Sequence, residues 1–167
     1  MVVGDQDRFG VRNILALVGV VGLGLLVGYG DDRAGTGTGE SVSLDLAETH
    51  VRWEQAGVAY YSYVLDSGCG ERTLIGRFRI TVQDETVTSA DGLDEPGQRF
   101  VRDIGPDHVP TIDELWDELL QAAAEGAYEA HGDSDEALGY PTSITIDWQR
   151  SADDDEACYE ITQFIGE

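Results

Sequence analysis

The pattern of apolar and polar positions divides the chain in two. From Asn13 to Tyr29, seventeen consecutive residues carry no charge. Such a run only just reaches the length that spans a bilayer, and it exceeds the core of a typical signal peptide. Four glycines within it (Gly19, Gly22, Gly24, Gly28) weaken a soluble helix but are tolerated in a membrane. The pattern predicts a transmembrane anchor or signal segment over 13–29, with a buried core helix as the plainer alternative. After it the periods change to those of a small folded domain.

Leu46, His50 and Trp53 fall at helical spacing and predict a helix over Leu44–Gln55. Asp45 and Glu48 stand in capping-box positions, and Gly57 ends the helix. Val58–Asp66 reads as a strand with Tyr61, Tyr63 and Leu65 on one side. Leu74–Gln83 alternates Phe78, Ile80 and Val82 with Arg77, Arg79 and Thr81, and so predicts a strand with one apolar face. Asp84-Glu85 turns into a strand over Thr86–Ala90. Asp91–Pro110 holds three of the four prolines and reads as a long loop, either functional or mobile. Thr111 and Glu114 form a second capping box. Behind it Ile112, Leu115, Trp116, Leu119 and Ala123 line one helical face up to Gly126. Strands over Ala127–His131, Pro141–Gln149 and Ala157–Ile165 complete the chain. The fold class is α+β: two helix–three-strand units forming an antiparallel sheet with two helices on one face, after an N-terminal apolar helix. This layout resembles that of beta-lactamase-inhibitor-like and PepSY-like domains, and at that level carries no function.

The apolar run ends in Leu26-Val27-Gly28-Tyr29. This resembles the lipobox of exported lipoproteins, but Tyr29 stands where the lipidated cysteine would be and offers no thiol. The resulting domain plan is a cytoplasmic segment 1–12, an anchor or signal 13–29, a flexible glycine-rich tether 30–43 and an extracytoplasmic α+β domain 44–167. Arg8 and Arg12 orient the tail inward. The expected location is the cell membrane, with the domain on the extracellular side.

Composition changes the picture in one respect. The net charge is -23, and all ten basic residues are arginine. Acid surplus with no lysine is the habit of halophilic proteins, because concentrated salt screens the self-repulsion. An arginine-biased, GC-rich genome is the duller explanation. A nucleic-acid partner is not expected, because phosphate recognition needs a cationic surface.

Several segments together resemble domain-of-unknown-function family 6174, a group of exported, often lipoprotein-type proteins. They are Trp53 before Tyr61-Ser62-Tyr63, the strand Phe78–Val82 and Thr111–Trp116. Gly139-Tyr140-Pro141 with Ile144 and Asp147 follows, then Asp153–Glu156 before Tyr159. The resemblance covers Trp53 to Phe164 and implies an extracytoplasmic domain with no assigned activity. The family pattern places two close cysteines after the first strand; this chain has Cys69 there, with Glu71 nearby.

Candidate chemistry is sparse. Cys69 and Cys158 are the only cysteines and are candidates for one disulfide, the alternative being two buried thiols. Arg72, Arg77 and Arg79 form the one basic cluster. They are candidates for contact with an anionic ligand or a partner's carboxylates, against ordinary cross-strand pairing with acids such as Glu129, Asp147 or Glu160. Asp153–Glu156 suits a hard cation in charge but lacks the spacing of a calcium loop and reads as a solvated hairpin. His50, His108 and His131 show no metal-ligand spacing. No catalytic residue, metal or cofactor is expected, and the chain is not expected to be an enzyme. The leading reading is a membrane-tethered binding or interaction module, its partners being the membrane through the N-terminal segment and a protein of the envelope. A structural or chaperone-like envelope protein is second, and a hydrolase with a carboxylate pair third. A groove on the open sheet face favours the first, a featureless charged face the second, and a pocket joining His with Asp or Glu the third.

Overall fold

A computed structural model describes residues 38–70, 73–150 and 155–167, with side chains from Asp45 onward. Three helices and six strands follow in the order α1 (Thr38–Ala56), β1 (Tyr60–Ser67), β2 (Gly76–Gln83), β3 (Thr86–Gly92), α2 (Glu95–Asp103), α3 (Ile112–Glu125), β4 (Glu129–Ser134), β5 (Pro141–Asp147) and β6 (Ala157–Gly166). The strands form one antiparallel sheet ordered β3-β2-β1-β6-β5-β4. Two helix–three-strand units therefore meet where the first strand of one pairs with the last of the other.

Strict alternation makes β2 the clearest strand. Phe78, Ile80 and Val82 are fully buried, and they stand opposite Leu65, Tyr63 and Tyr61 of β1. Across the sheet, Ile144 and Ile146 of β5 face Tyr159 and Ala157 of β6. The helices bury this apolar face.

Near its end β6 departs from simple alternation. Gln163 takes a left-handed φ of 51°, and the pairing with β1 slips between Ser62 and Val64. Such a bulge adds one residue to a strand and reverses the faces beyond it. Ile161 and Phe164 thus both point to the helices, while Ile165 is 65 % exposed. Phe164 stacks on the Tyr140 ring at 4.1 Å and on Tyr61 at 5.7 Å.

The start of α3 is tied down from three directions. Thr111 and Glu114 form the capping box: Thr111 Oγ1 accepts from the Glu114 amide at 3.2 Å, and Glu114 Oε2 accepts from the Thr111 amide at 2.7 Å. Tyr61 Oη accepts from the Ile112 amide at 3.1 Å, Tyr63 Oη donates to the Pro110 carbonyl, and Trp53 Nε1 donates to Asp113 Oδ1 at 2.8 Å. Burial disfavours the phenolate, so the Tyr61 and Tyr63 hydroxyls are held protonated well above the usual tyrosine range.

α1 begins at Thr38, earlier than the expected Leu44, so Asp45 lies inside the helix and is not its cap. Leu46 and Trp53 are buried as the periodicity requires. The expected long loop is a second correction, because it contains α2. Asp94 caps this helix by accepting from the Gly97 amide at 2.8 Å, and Pro96 sits in the first turn, where its missing N–H costs nothing. The helix lies directly on the sheet: a Cβ on Gly76 or Gly92 would overlap the backbone of Gly97 or Gln98. Phe100 then meets Phe78 edge-on at 5.5 Å.

The expected anchor over 13–29 lies outside the described residues, as do segment 1–12 and most of the tether. No helix among the described residues is long and apolar enough to cross a membrane. α1 exposes Asp45, Glu48, Arg52 and Glu54, which hydrocarbon would not tolerate. The reading of a membrane-tethered module is corrected accordingly. Its transmembrane helix, its membrane partner and its placement on the extracellular side of the cell membrane are not carried forward.

The acid surplus has a measurable consequence. The described ion pairs of Arg77, Arg99 and Arg102 offset few of the 33 acids. Raising potassium chloride from 0.1 to 2 M shortens the screening length from about 10 Å to under about 3 Å. The melting temperature should then rise by on the order of 10 °C, since each kcal/mol of relieved repulsion shifts it by several degrees. A calorimetric melting series reads this directly, and a flat series would show that the charge does not govern stability.

Candidate functional site

A cleft of about 550 Å³ opens on the helical side of the sheet, between α2 and the first turns of α3. The segment expected to be a loop builds one wall. Phe100 and Ile104 come from α2 and the residue that caps it, Asp107 and His108 from a single 3-10 turn (Pro106–His108), and Val109 and Pro110 from the strap into α3. Glu114 and Glu118 project from α3, Tyr159 from β6, and Thr73 with Leu74 from the segment before β2.

The floor is apolar and partly open. Phe100 and Val109 are buried, whereas Ile104 is 46 % exposed at the mouth. Around it stand three carboxylates, those of Asp107, Glu114 and Glu118, with His108 beside Asp107 at 3.3 Å. Among the described residues, no arginine lines this cleft. The nearest ones on α2 are paired: Arg99 with Glu95 at 3.1 Å and Arg102 with Asp103 at 2.9 Å. Glu118 Oε2 accepts from Tyr159 Oη at 3.0 Å. The described part of the rim is mainly acidic, with Asp107 and Glu114 on it, and clustered charge of one sign attracts counter-charge.

A second cleft, of about 560 Å³, has Trp53 and Tyr61 at its base and Glu54, Asp84, Glu85 and Asp113 around it. Its aromatic base is closed: both rings are buried, and their polar tips are bonded to the start of α3. Its other apolar lining, Val58 and Ala59, is smaller than the Phe100, Ile104 and Val109 side chains of the first cleft, and it is the weaker candidate.

The residues singled out in the sequence lie elsewhere. Arg77 and Arg79 are on the open sheet face. Arg77 Nε pairs with Asp66 Oδ2 at 3.2 Å, its direct cross-strand neighbour, and Arg79 Nη2 donates to Gln163 Oε1 at 3.2 Å. Arg72 lies outside the described residues. Cys69 and Cys158 are joined in a disulfide with Cα atoms 5.3 Å apart, linking positions 89 residues apart. The histidines do not converge. His50 lies against Trp116 at 5.7 Å, and His131 pairs with Glu129 at 3.2 Å. No group of three or more His, Cys, Asp or Glu suited to a metal occurs among the described residues. Of the acidic run, Asp153 and Asp154 lie outside the described residues, and the Asp155 carboxylate oxygens are enclosed, with no hydrogen-bond partner among the described residues.

Sequence reasoning missed Phe100, Ile104, Val109 and Tyr159 as members of one site. The signal that would have revealed α2 is Asp94 followed by Pro96, a cap and a first-turn proline. Fold and cleft together define an α+β domain with an acid-rimmed apolar groove beside a disulfide. Residues 45–166 match the family of unknown function DUF6174, and the chain belongs to it. No curated protein and no solved structure matches the chain.

Proposed function

We propose that this is a non-catalytic ligand-binding domain, and that the cleft between α2 and α3 takes a small molecule with an apolar body and a cationic head. The observation that carries this is an accessible apolar floor, with Ile104 at its mouth, beside the carboxylates of Asp107 and Glu114. An alkyl chain would be stabilised by leaving water, and an ammonium group by the rim. A carboxylate in the same place would meet like charge.

Turnover has weaker support. The His108–Asp107 pair stands at the rim with both side chains more than half exposed. Glu114 Oε2 is committed to the α3 cap and Glu118 Oε2 to Tyr159. General acid–base work needs a group positioned at the reacting atom, and none of these is held free at the base. The disulfide supports work in oxidising surroundings, and the acid surplus supports work at high salt.

Isothermal titration of the full chain with octylamine, octanoate and octanol in 1 M potassium chloride tests the reading. Octylamine should bind about tenfold more tightly than octanoate, a difference of about 1.4 kcal/mol. The Ile104→Ser variant should bind octylamine about fivefold more weakly, because it removes part of the floor. Equal affinity for the amine and the acid, or no binding, would sink the proposal.

A further inference from the structure

We propose that the open face of the sheet docks an extended peptide segment of a partner protein, one that carries a single carboxylate between apolar side chains, and that Arg79 anchors that carboxylate. The surface lies on the side of the sheet away from the helices, so the proposal stands or falls apart from the cleft. Register defines the face. Tyr61, Tyr63, Phe78, Ile80 and Val82 are buried under the helices. Their alternates, with Tyr60 and Ser62 on β1 and Arg79 and Thr81 on β2, turn the other way.

Charge is sparse around Arg79. Its Nη2 donates to the neutral Gln163 side chain at 3.2 Å, and among the described residues no carboxylate pairs with it, although Asp91 stands opposite it on β3. Arg77, two positions back, is paired with Asp66. The chain holds 33 acids, yet none falls within Tyr60–Val64, Arg79–Gln83 or Thr162–Ile165, the three stretches that meet here. Acids stand at the border: Asp66 and Glu160 along the strands, Asp84 and Glu85 in the hairpin turn, Asp91 on the edge strand and Glu167 after β6. Such a border repels a polyanion, whereas one carboxylate fits over the neutral centre.

The centre also offers apolar surface. Tyr60 is 44 % exposed and Ile165 is 65 % exposed. Ile165 stands across from Ser62, which makes it a diagonal neighbour of Tyr60 on the same face. The bulge at Gln163 turns Ile165 outward, and the side chain of the same residue holds the Arg79 guanidinium beside it. That guanidinium keeps further N–H donors, and its planar fork can take a carboxylate through two parallel bonds. Apolar side chains flanking the carboxylate would leave water against Tyr60 and Ile165. A glycan could stack on Tyr60 but would leave Ile165 in water, so a peptide is the better fit.

The test is amide NMR titration of the full chain in 1 M potassium chloride with a terminally blocked peptide, Leu-Thr-Glu-Thr-Leu, which when extended puts its glutamate and both leucines on one side. The same peptide with glutamine for glutamate is the control, and tetragalacturonate is the glycan probe. The glutamate peptide should shift the amides of Ser62, Arg79, Thr81 and Ile165, and bind about fivefold more tightly than the control. Arg79→Gln, an exposed change, should erase that preference. Ile165→Ser should weaken both peptides about threefold. Equal affinity for the two peptides, an unchanged preference in Arg79→Gln, or no shifts on this face would overturn the proposal. Tighter binding of tetragalacturonate than of the peptide would overturn the choice of partner.

Discussion

Removing the disulfide should lower the stability of the domain by about 4–5 kcal/mol. The bridge closes a loop between positions 89 residues apart, from just after β1 to the start of β6. In the chain-entropy account, a cross-link over about 100 residues restricts the unfolded chain by about 4.7 kcal/mol. The bridge lies beyond the last pair of β1 with β6, so cutting it leaves the ladder intact and acts mainly on the unfolded state. Urea unfolding of the oxidised chain and of the Cys69→Ser/Cys158→Ser variant measures it. Screened by molar salt, both forms should fold. A loss below about 1 kcal/mol would mean that the unfolded chain is already restricted without the bridge.

The two buried tryptophans should respond differently to the same change. Trp53 is 3 % exposed and Trp116 is 1 % exposed, so Phe leaves a comparable gap at each. Their polar atoms differ. Trp53 Nε1 donates to Asp113 at 2.8 Å, a bond to a carboxylate that also fixes the first turn of α3. Trp116 Nε1 is buried with no hydrogen-bond partner. A bond to a charged acceptor contributes about 1.5–3 kcal/mol, whereas an unsatisfied buried donor costs about 1–3 kcal/mol. Trp53→Phe should therefore destabilise by about 3 kcal/mol, and Trp116→Phe by about 1 kcal/mol or less, its poorer packing offset by removal of the orphan donor. Denaturant midpoints at fixed salt rank the two. The reverse order would show that packing around Trp116, and not the indole nitrogens, decides the outcome.

Local signals carried much of the fold. Alternation in Phe78–Val82 marked β2, and Thr111, Glu114 and Gly126 marked both ends of α3. What stayed hidden depended on contacts remote in sequence. Pro96 and Gly97 look like loop residues until Gly76 and Gly92 are seen to give the backbone of α2 room against the sheet. The turn of Phe164 inward follows from one residue, Gln163, whose conformation is set by the pairing of β6 with β1. The arginines showed the same limit. Pairing with a nearby acid was the plainer expectation beside ligand contact, but the acid that Arg77 meets, Asp66, is chosen by register.

The cleft was less legible still. Phe100, Val109, Glu118 and Tyr159 come from α2, the strap, α3 and β6, and nothing in the local periodicity of any one joins it to the others. Only the disulfide partners were visible as a pair, because an even count of cysteines limits the choices. The long proline-containing segment stands out in the sequence for its length alone; its apolar residues turn out to be the wall of the groove.

The most direct measurement of the cleft's role is an NMR search for intermolecular contacts between octylamine and the full chain in molar potassium chloride. The expected result is a set of contacts from the alkyl protons to the Ile104 and Val109 methyls and the Phe100 ring, with the amine end nearest Asp107 and Glu114. Contacts confined to Trp53 and Tyr61, or none to any side chain, would contradict it.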